Sequence, residues 1–224
     1  MATTRALTSE EIVLITRSLA DRKKQRDVVL VLAGAGTGFR AAELLTLQWG
    51  QLVATDGQIA REVTVDRRLL KGGRGGRARA IRSRRVALGE RVREAVADYL
   101  ATLGCVPTPD TYVFRSRKGQ GPITRTQALH ILKEAARAAG IPNERVGMHS
   151  LRRTFAKGVY EHSGRCLITA QRLLGHSSPI TSAKYLRDAS QDDLDKVVLS
   201  FDPLAPSPTA GSVASPNLYR LLAQ

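Results

Sequence analysis

The chain has 224 residues, 42% of them hydrophobic, which is enough for one ordinary domain with its own core and a short appendage. A formal charge of +15 makes a polyanion the natural partner, and with only five Tyr, four Phe and one Trp to stack on bases, duplex DNA held by its backbone is expected. No apolar run nears the ~20 residues of a spanning helix and no basic-then-apolar leader opens the chain, which points away from a membrane and towards a cytoplasmic, nucleoid-associated protein.

Residues 1–6 read as a tail. Thr8 and Glu11 have the spacing of a capping box, and Ile12, Leu14, Ile15 and Leu19 supply the apolar face of a first helix. A second apolar run, Val28 to Ala35, ends in Gly34, Gly36 and Gly38 before a new helix near Ala41. These glycines fit neither a dinucleotide fingerprint nor a phosphate loop, so a tight turn between helices is expected. Residues 58–88 read as a β-hairpin, with Ile59, Val63 and Val65 in one strand, Ile81, Val86 and Leu88 in its partner, and glycines 72, 73, 75 and 76 in the connection. Every charged residue from Arg67 to Arg85 is basic: Arg67, Arg68, Lys71, Arg74, Arg77, Arg79, Arg82, Arg84 and Arg85. Such a block either tracks DNA phosphates or is a solvated basic loop.

Further on, Glu90 to Leu103 is helical, Tyr112 to Phe114 a short strand, and Thr124 to Ala139 a helix closed by Gly140 with Pro142 beyond. Helices are expected at 150–162, 166–174, 180–188 and 191–200, followed by a Pro- and Ser-rich linker at 202–216 and an apolar patch from Leu218 to Leu222. Cys105 and Cys166 lack C-x-x-C spacing and read as reduced packing residues. The fold class is therefore α+β, mainly α: a helical bundle with a small antiparallel sheet over residues 7–201, then an appendage at 202–224.

Three short stretches carry chemistry. TGFRAAELLTLQW at 37–49 puts Arg40 at a helix start, with Glu43 one turn along the same face. MHSLRRTFA at 148–156 places His149 and Arg152 three apart, so that a helix aims both at one point, as an anion site requires. LLGHSSPITSAKYL at 173–186 sets His176 after a glycine turn and Tyr185 nine residues later. Taken singly, each has an ordinary structural explanation: a surface ion pair, a histidine at a helix end, a core tyrosine.

Together, and in this order, Arg40, Lys71 in the hairpin, His149, Arg152, His176 and Tyr185 resemble the six-residue active site of tyrosine recombinases of the phage integrase type. The resemblance spans residues 7–200. It implies a metal- and ATP-independent strand exchange through a 3′-phosphotyrosyl intermediate, with self-association into a tetramer on paired DNA sites. Family members usually carry an N-terminal core-binding domain of about a hundred residues. This chain resembles the short members that consist of the catalytic domain alone, or a fragment of a longer one.

The residues suit that reaction. Arg40 and Arg152 are always protonated and offer planar forks of donors to the non-bridging oxygens of a phosphate. Tyr185, with an unperturbed phenol pKa near ~10, needs a proton acceptor, for which His149 is the candidate. By resemblance His176 hydrogen-bonds the scissile phosphate and Lys71 protonates the leaving oxygen, while Glu43 orients the site. Neither a metal nor a cofactor is expected, because no Asp and Glu cluster resembles a two-metal nuclease site. Two other functions remain open: DNA relaxation of the type IB topoisomerase kind, and a non-catalytic DNA-binding regulator with the same fold.

Overall fold

The computed structural model describes residues 4–54, 56–65, 84–117 and 119–175. The helices are α1 (Ser9–Asp21), α2 (Gln25–Thr37), α3 (Ala41–Leu45), α4 (Trp49–Leu52), α5 (Glu90–Ala101), α6 (Arg125–Ala138), α7 (Met148–His162) and α8 (Leu167–Leu174). The strands β1 (Glu62–Val65) and β2 (Arg84–Ala87) pair antiparallel, with Val63 opposite Val86 and Thr64 opposite Arg85. The mainly helical class with a small antiparallel sheet is thus the observed one. The chain divides into two compact units, Met1–Phe155 and Ala156–Gln224. Among the described residues no helix is long and apolar enough to cross a membrane.

In the first unit α2 is the central element. Val29, Leu30 and Ala33 belong to one apolar cluster, with Leu44, Val63, Val86, Val92 and Phe114. Val31 turns to a second cluster with Ile15, Leu19, Leu132, Ile141 and Leu151. Helix α1 starts on the expected capping box: Thr8 Oγ1 accepts from Glu11 N at 3.1 Å, and Glu11 Oε2 accepts from Thr8 N at 2.9 Å. Its buried stripe is Ile15 and Leu19, whereas Leu14 is exposed. The reason is geometric, because a residue one position away from the stripe is rotated by about 100° around the helix.

Several expectations need correcting. Helix α2 runs through Gly34 and Gly36 to Thr37, and only Gly38, at φ 62°, ends it. Gly34 is a packing position, since a Cβ there would lie 2.6 Å from Leu151 Cδ1. Residues Tyr112 to Phe114 form no strand: Tyr112 makes a single bridge to Gln48, and Arg115 another to Pro122. Ile59 likewise bridges Val53 and lies outside β1. Such isolated bridges tie loops without the continuous ladder a strand needs. The short helix α4 carried no period long enough to be read. Cys105 is exposed and not a packing residue, while Cys166, half-buried, is the N-cap of α8; both thiols are free.

In the second unit α7 ends at a turn in which Gly164 and Arg165 both take left-handed conformations, and Arg165 N donates to Tyr160 O at 2.8 Å. Ala170 and Leu174 are the buried residues of α8, and Gly175 caps it at φ 61°. The expected helices at 180–188 and 191–200, the linker at 202–216 and the patch at 218–222 lie outside the described residues, as does Ile81.

Candidate active site

The turn Gly38–Arg40 links two of the candidate residues, Arg40 within it and Arg152 bonded to it. Gly38 must be glycine for two independent reasons: its φ of 62° is left-handed, and a Cβ would stand 2.2 Å from Phe155 Cδ1. That close approach lays α7 against the turn. Arg152, one turn before Phe155 on α7, is only 1% exposed, and its Nη1 donates to the Gly38 carbonyl. A buried guanidinium is costly unless its donors are engaged, and the carbonyl of this turn engages one.

Two residues on, Arg40 is the N-cap of α3, with extended backbone at φ −67° and ψ 151°. The Glu43 carboxylate accepts from Arg40 N at 2.8 Å and from Arg40 Nη1 at 3.0 Å. This is half of a capping box, the only half an arginine can enter, because a guanidinium has nothing to accept with. The Glu43 side chain is fully buried while Arg40 keeps 41% of its side-chain surface. A fixed carboxylate thus holds a partly open guanidinium. Glu43 therefore contacts Arg40 through both its backbone N–H and its guanidinium.

His149 lies in the first turn of α7 and is exposed. Partial loss of water around the ring, and then the positive charges of Arg152, Arg125 and Arg153, hold its imidazole below the ordinary histidine value. A neutral imidazole is a proton acceptor. Arg125 was not anticipated from the sequence. It is exposed at the first position of α6, and Leu129, one turn along, approaches Gly147, where Leu129 Cδ1 is 3.9 Å from an ideal Cβ. Nothing in the local pattern TRTQ marks it, because Thr124 and Gln127 explain that stretch as a capping box.

The structure therefore brings Arg40, Glu43 and Arg152 together around one turn, with His149 on the helix that supplies Arg152. Lys71, His176 and Tyr185, and the hairpin arginines Arg67, Arg68, Arg74, Arg77, Arg79 and Arg82, lie outside the described residues. Arg84 pairs through its backbone with Val65. Arg85, strongly exposed, forms a loose ion pair with Glu62 at 3.3 Å.

Residues 5–192 match the profile of the phage integrase family. The chain is similar to the probable integrase/recombinase YoeC of Bacillus subtilis, 28% identical over 73% of this chain and 78% of that protein. It is also similar to the tyrosine recombinase XerA of Pyrococcus furiosus, at 31% identity over 82% of this chain and 57% of the relative. For the tyrosine recombinase XerC of Erythrobacter litoralis the figures are 35%, 67% and 42%, so the chain spans about half the length of these Xer relatives. Among solved structures, that of XerA recombinase superposes with a TM-score of 0.69 at 21% identity, covering 91% of this chain and 68% of the other. The post-cleavage complex of the XerH site-specific recombinase bound to palindromic difH substrate gives 0.64 at 24%, covering 88% and 53%. At such identities these superpositions establish the fold.

Proposed function

The chain belongs to the phage integrase family, and on that premise we propose that it is a site-specific tyrosine recombinase that cuts and rejoins duplex DNA through Tyr185. The observation that carries the reading is the Gly38–Arg40 turn, where one guanidinium is anchored from α7 and a second is held open by Glu43. Two fixed cations beside a neutral histidine suit a phosphodiester, whose reaction gathers negative charge on the non-bridging oxygens. No comparable demand exists in a protein that only binds DNA.

In the proposed reaction the Tyr185 hydroxyl gives its proton to His149 and attacks phosphorus, forming a 3′-phosphotyrosyl bond as the bond to the 5′ oxygen breaks. Lys71 protonates that oxygen. His176 donates a hydrogen bond to the phosphate throughout. Attack by the freed 5′-hydroxyl of a partner strand reverses these steps and restores Tyr185, so the phosphodiester energy is conserved and no ATP is consumed. Strand exchange between two sites requires several protomers on paired DNA, and a tetramer is the proposed assembly. Action on DNA also implies residence with the nucleoid.

A suicide duplex, nicked so that cleavage cannot be reversed, tests this directly. The wild-type protein is expected to form a covalent adduct visible on a denaturing gel, and Tyr185→Phe to form none while binding the same DNA with unchanged affinity. An adduct undiminished in Tyr185→Phe would refute the assignment. Relaxation of a supercoiled plasmid that lacks any recombination site would favour the topoisomerase reading instead.

A further inference from the structure

The segment ahead of α1 is bonded to the helix that carries His149 and Arg152. Arg5 N donates to the Arg145 carbonyl at 3.0 Å, in the loop that leads into α7. Leu7 N donates to Thr154 Oγ1 at 2.8 Å. The Thr154 hydroxyl proton is within reach of two carbonyls, Ser150 at 3.0 Å and Leu7 at 3.3 Å. Ser150, fully buried between His149 and Arg152 in sequence, accepts from Gly147 N at 3.1 Å and reaches the same Arg145 carbonyl at 3.4 Å. Thr4 packs against Gly147, where its Cγ2 is 3.0 Å from an ideal Cβ. The other side of the segment is tied down too: the Arg5 guanidinium forks onto Glu11 at 2.6 and 2.5 Å, and Leu7 is buried in the second apolar cluster.

We infer that residues 4–8 are a strap that sets the position of α7, and that Thr154 is a positioning residue for His149 and Arg152; this rests on the cleavage reaction proposed above. Thr154 sits two residues beyond Arg152 and one turn beyond Ser150, so its hydroxyl joins the strap to the turn of α7 that carries the reacting groups. If the strap were only stabilising, these bonds would add to the folding free energy and nothing else. Their placement predicts more. A displacement of about 1 Å at reacting groups costs on the order of a hundredfold in rate, and loss of the clasp frees the start of α7 to move on such a scale without unfolding the cluster beneath it.

Thr154→Val removes the hydroxyl and keeps the shape, and Thr154→Ser restores the hydroxyl. Single-turnover adduct formation on the suicide duplex is measured at saturating protein, with DNA affinity and the thermal midpoint measured alongside. The expected result is a tenfold or greater loss of cleavage rate in the Val variant, with affinity within twofold of wild type and most of the protein folded, and recovery to within about threefold in the Ser variant. The inference is overturned if the Val variant cleaves at the wild-type rate, if its loss is matched by lost binding or folding, or if Ser does not rescue it. Should Thr154→Val fail to fold, Arg5→Gln, which releases the strap from Glu11, is read in the same way. Absence of an adduct from wild-type protein would instead defeat the cleavage reading, which keeps the two failures apart.

Discussion

Arg152 is among the largest fully buried side chains of the described residues, and Glu43 is buried with it. Burying charge is unfavourable unless hydrogen bonds replace the lost water. Here the Gly38 carbonyl serves Arg152, and the backbone N–H and Nη1 of Arg40 serve Glu43. Charges anchored by such bonds are oriented in advance, and electrostatic stabilisation of a transition state draws on that kind of preorganisation. His149 responds to the same charges: water loss comes first, then Arg152, Arg125 and Arg153, all favouring the neutral ring. If His149 is the base proposed above, its depressed pKa keeps it competent to lower pH, so the acid limb of the cleavage profile is predicted to lie below that of an ordinary histidine. Arg125→Gln removes one positive neighbour, the His149 pKa rises, and the acid limb moves to higher pH. Single-turnover rates against pH at saturating DNA would show this, and an unmoved limb would mean that His149 is not the base or that Arg125 does not act on it. Arg40, Glu43, His149 and Arg152 could be picked out in the sequence as two pairs three residues apart, and it was their order with Lys71, His176 and Tyr185 that carried the family resemblance. Arg125 could not be, because it lies on another helix and its charge is felt at His149 only through the fold.

At the scale of elements, the site depends on one junction, where α2 stops at Gly38 and α7 packs its Phe155 over that glycine. Gly38→Ala would force a side chain into the left-handed region, at about 1–2 kcal/mol, and into the ring of Phe155, at a further 1–3 kcal/mol or so. A loss of about 2 kcal/mol or more in a denaturant titration is therefore expected. Cleavage should fall further than stability, because the displaced carbonyl is the one Arg152 uses. Gly121→Ala, where a Cβ meets nothing within 4 Å and no helix end is capped, supplies the control and should be nearly neutral. The long periodic helices were readable because their ends carry chemical signals: the capping box of α1 appears in the sequence as Thr8 with Glu11, and the close of α6 as Gly140 with Pro142 beyond. What the sequence hid was non-local. Gly34 looks like a breaker but is a helical position that Leu151 needs kept small, and the Tyr112–Phe114 run has strand-forming residues but partners too scattered for a ladder.

Across the whole molecule the excess of 35 Lys and Arg over 20 Asp and Glu is spread unevenly, and residues 67–85 hold nine basic side chains with no acidic one among them. If that block tracks the DNA backbone, binding must be dominated by counterion release. The logarithm of the affinity should then fall linearly with the logarithm of salt concentration, with a slope of roughly 0.9 per phosphate contacted. Replacing two arginines of the block, Arg77 and Arg79, with Ala should reduce that slope by roughly two units and weaken binding to specific and unrelated duplexes alike, because phosphate contacts carry no sequence information. Arg137→Ala is the matched control: its guanidinium already bonds Glu134 at 2.9 Å, so removing it takes away a charge that is locally neutralised, and the slope should stay where it was. Fluorescence anisotropy over a range of potassium salt concentrations separates the outcomes. A solvated loop that never meets DNA would leave the slope of the double variant equal to that of wild type, whereas a loop that reads base edges would lose affinity for the specific duplex and keep it for the unrelated one.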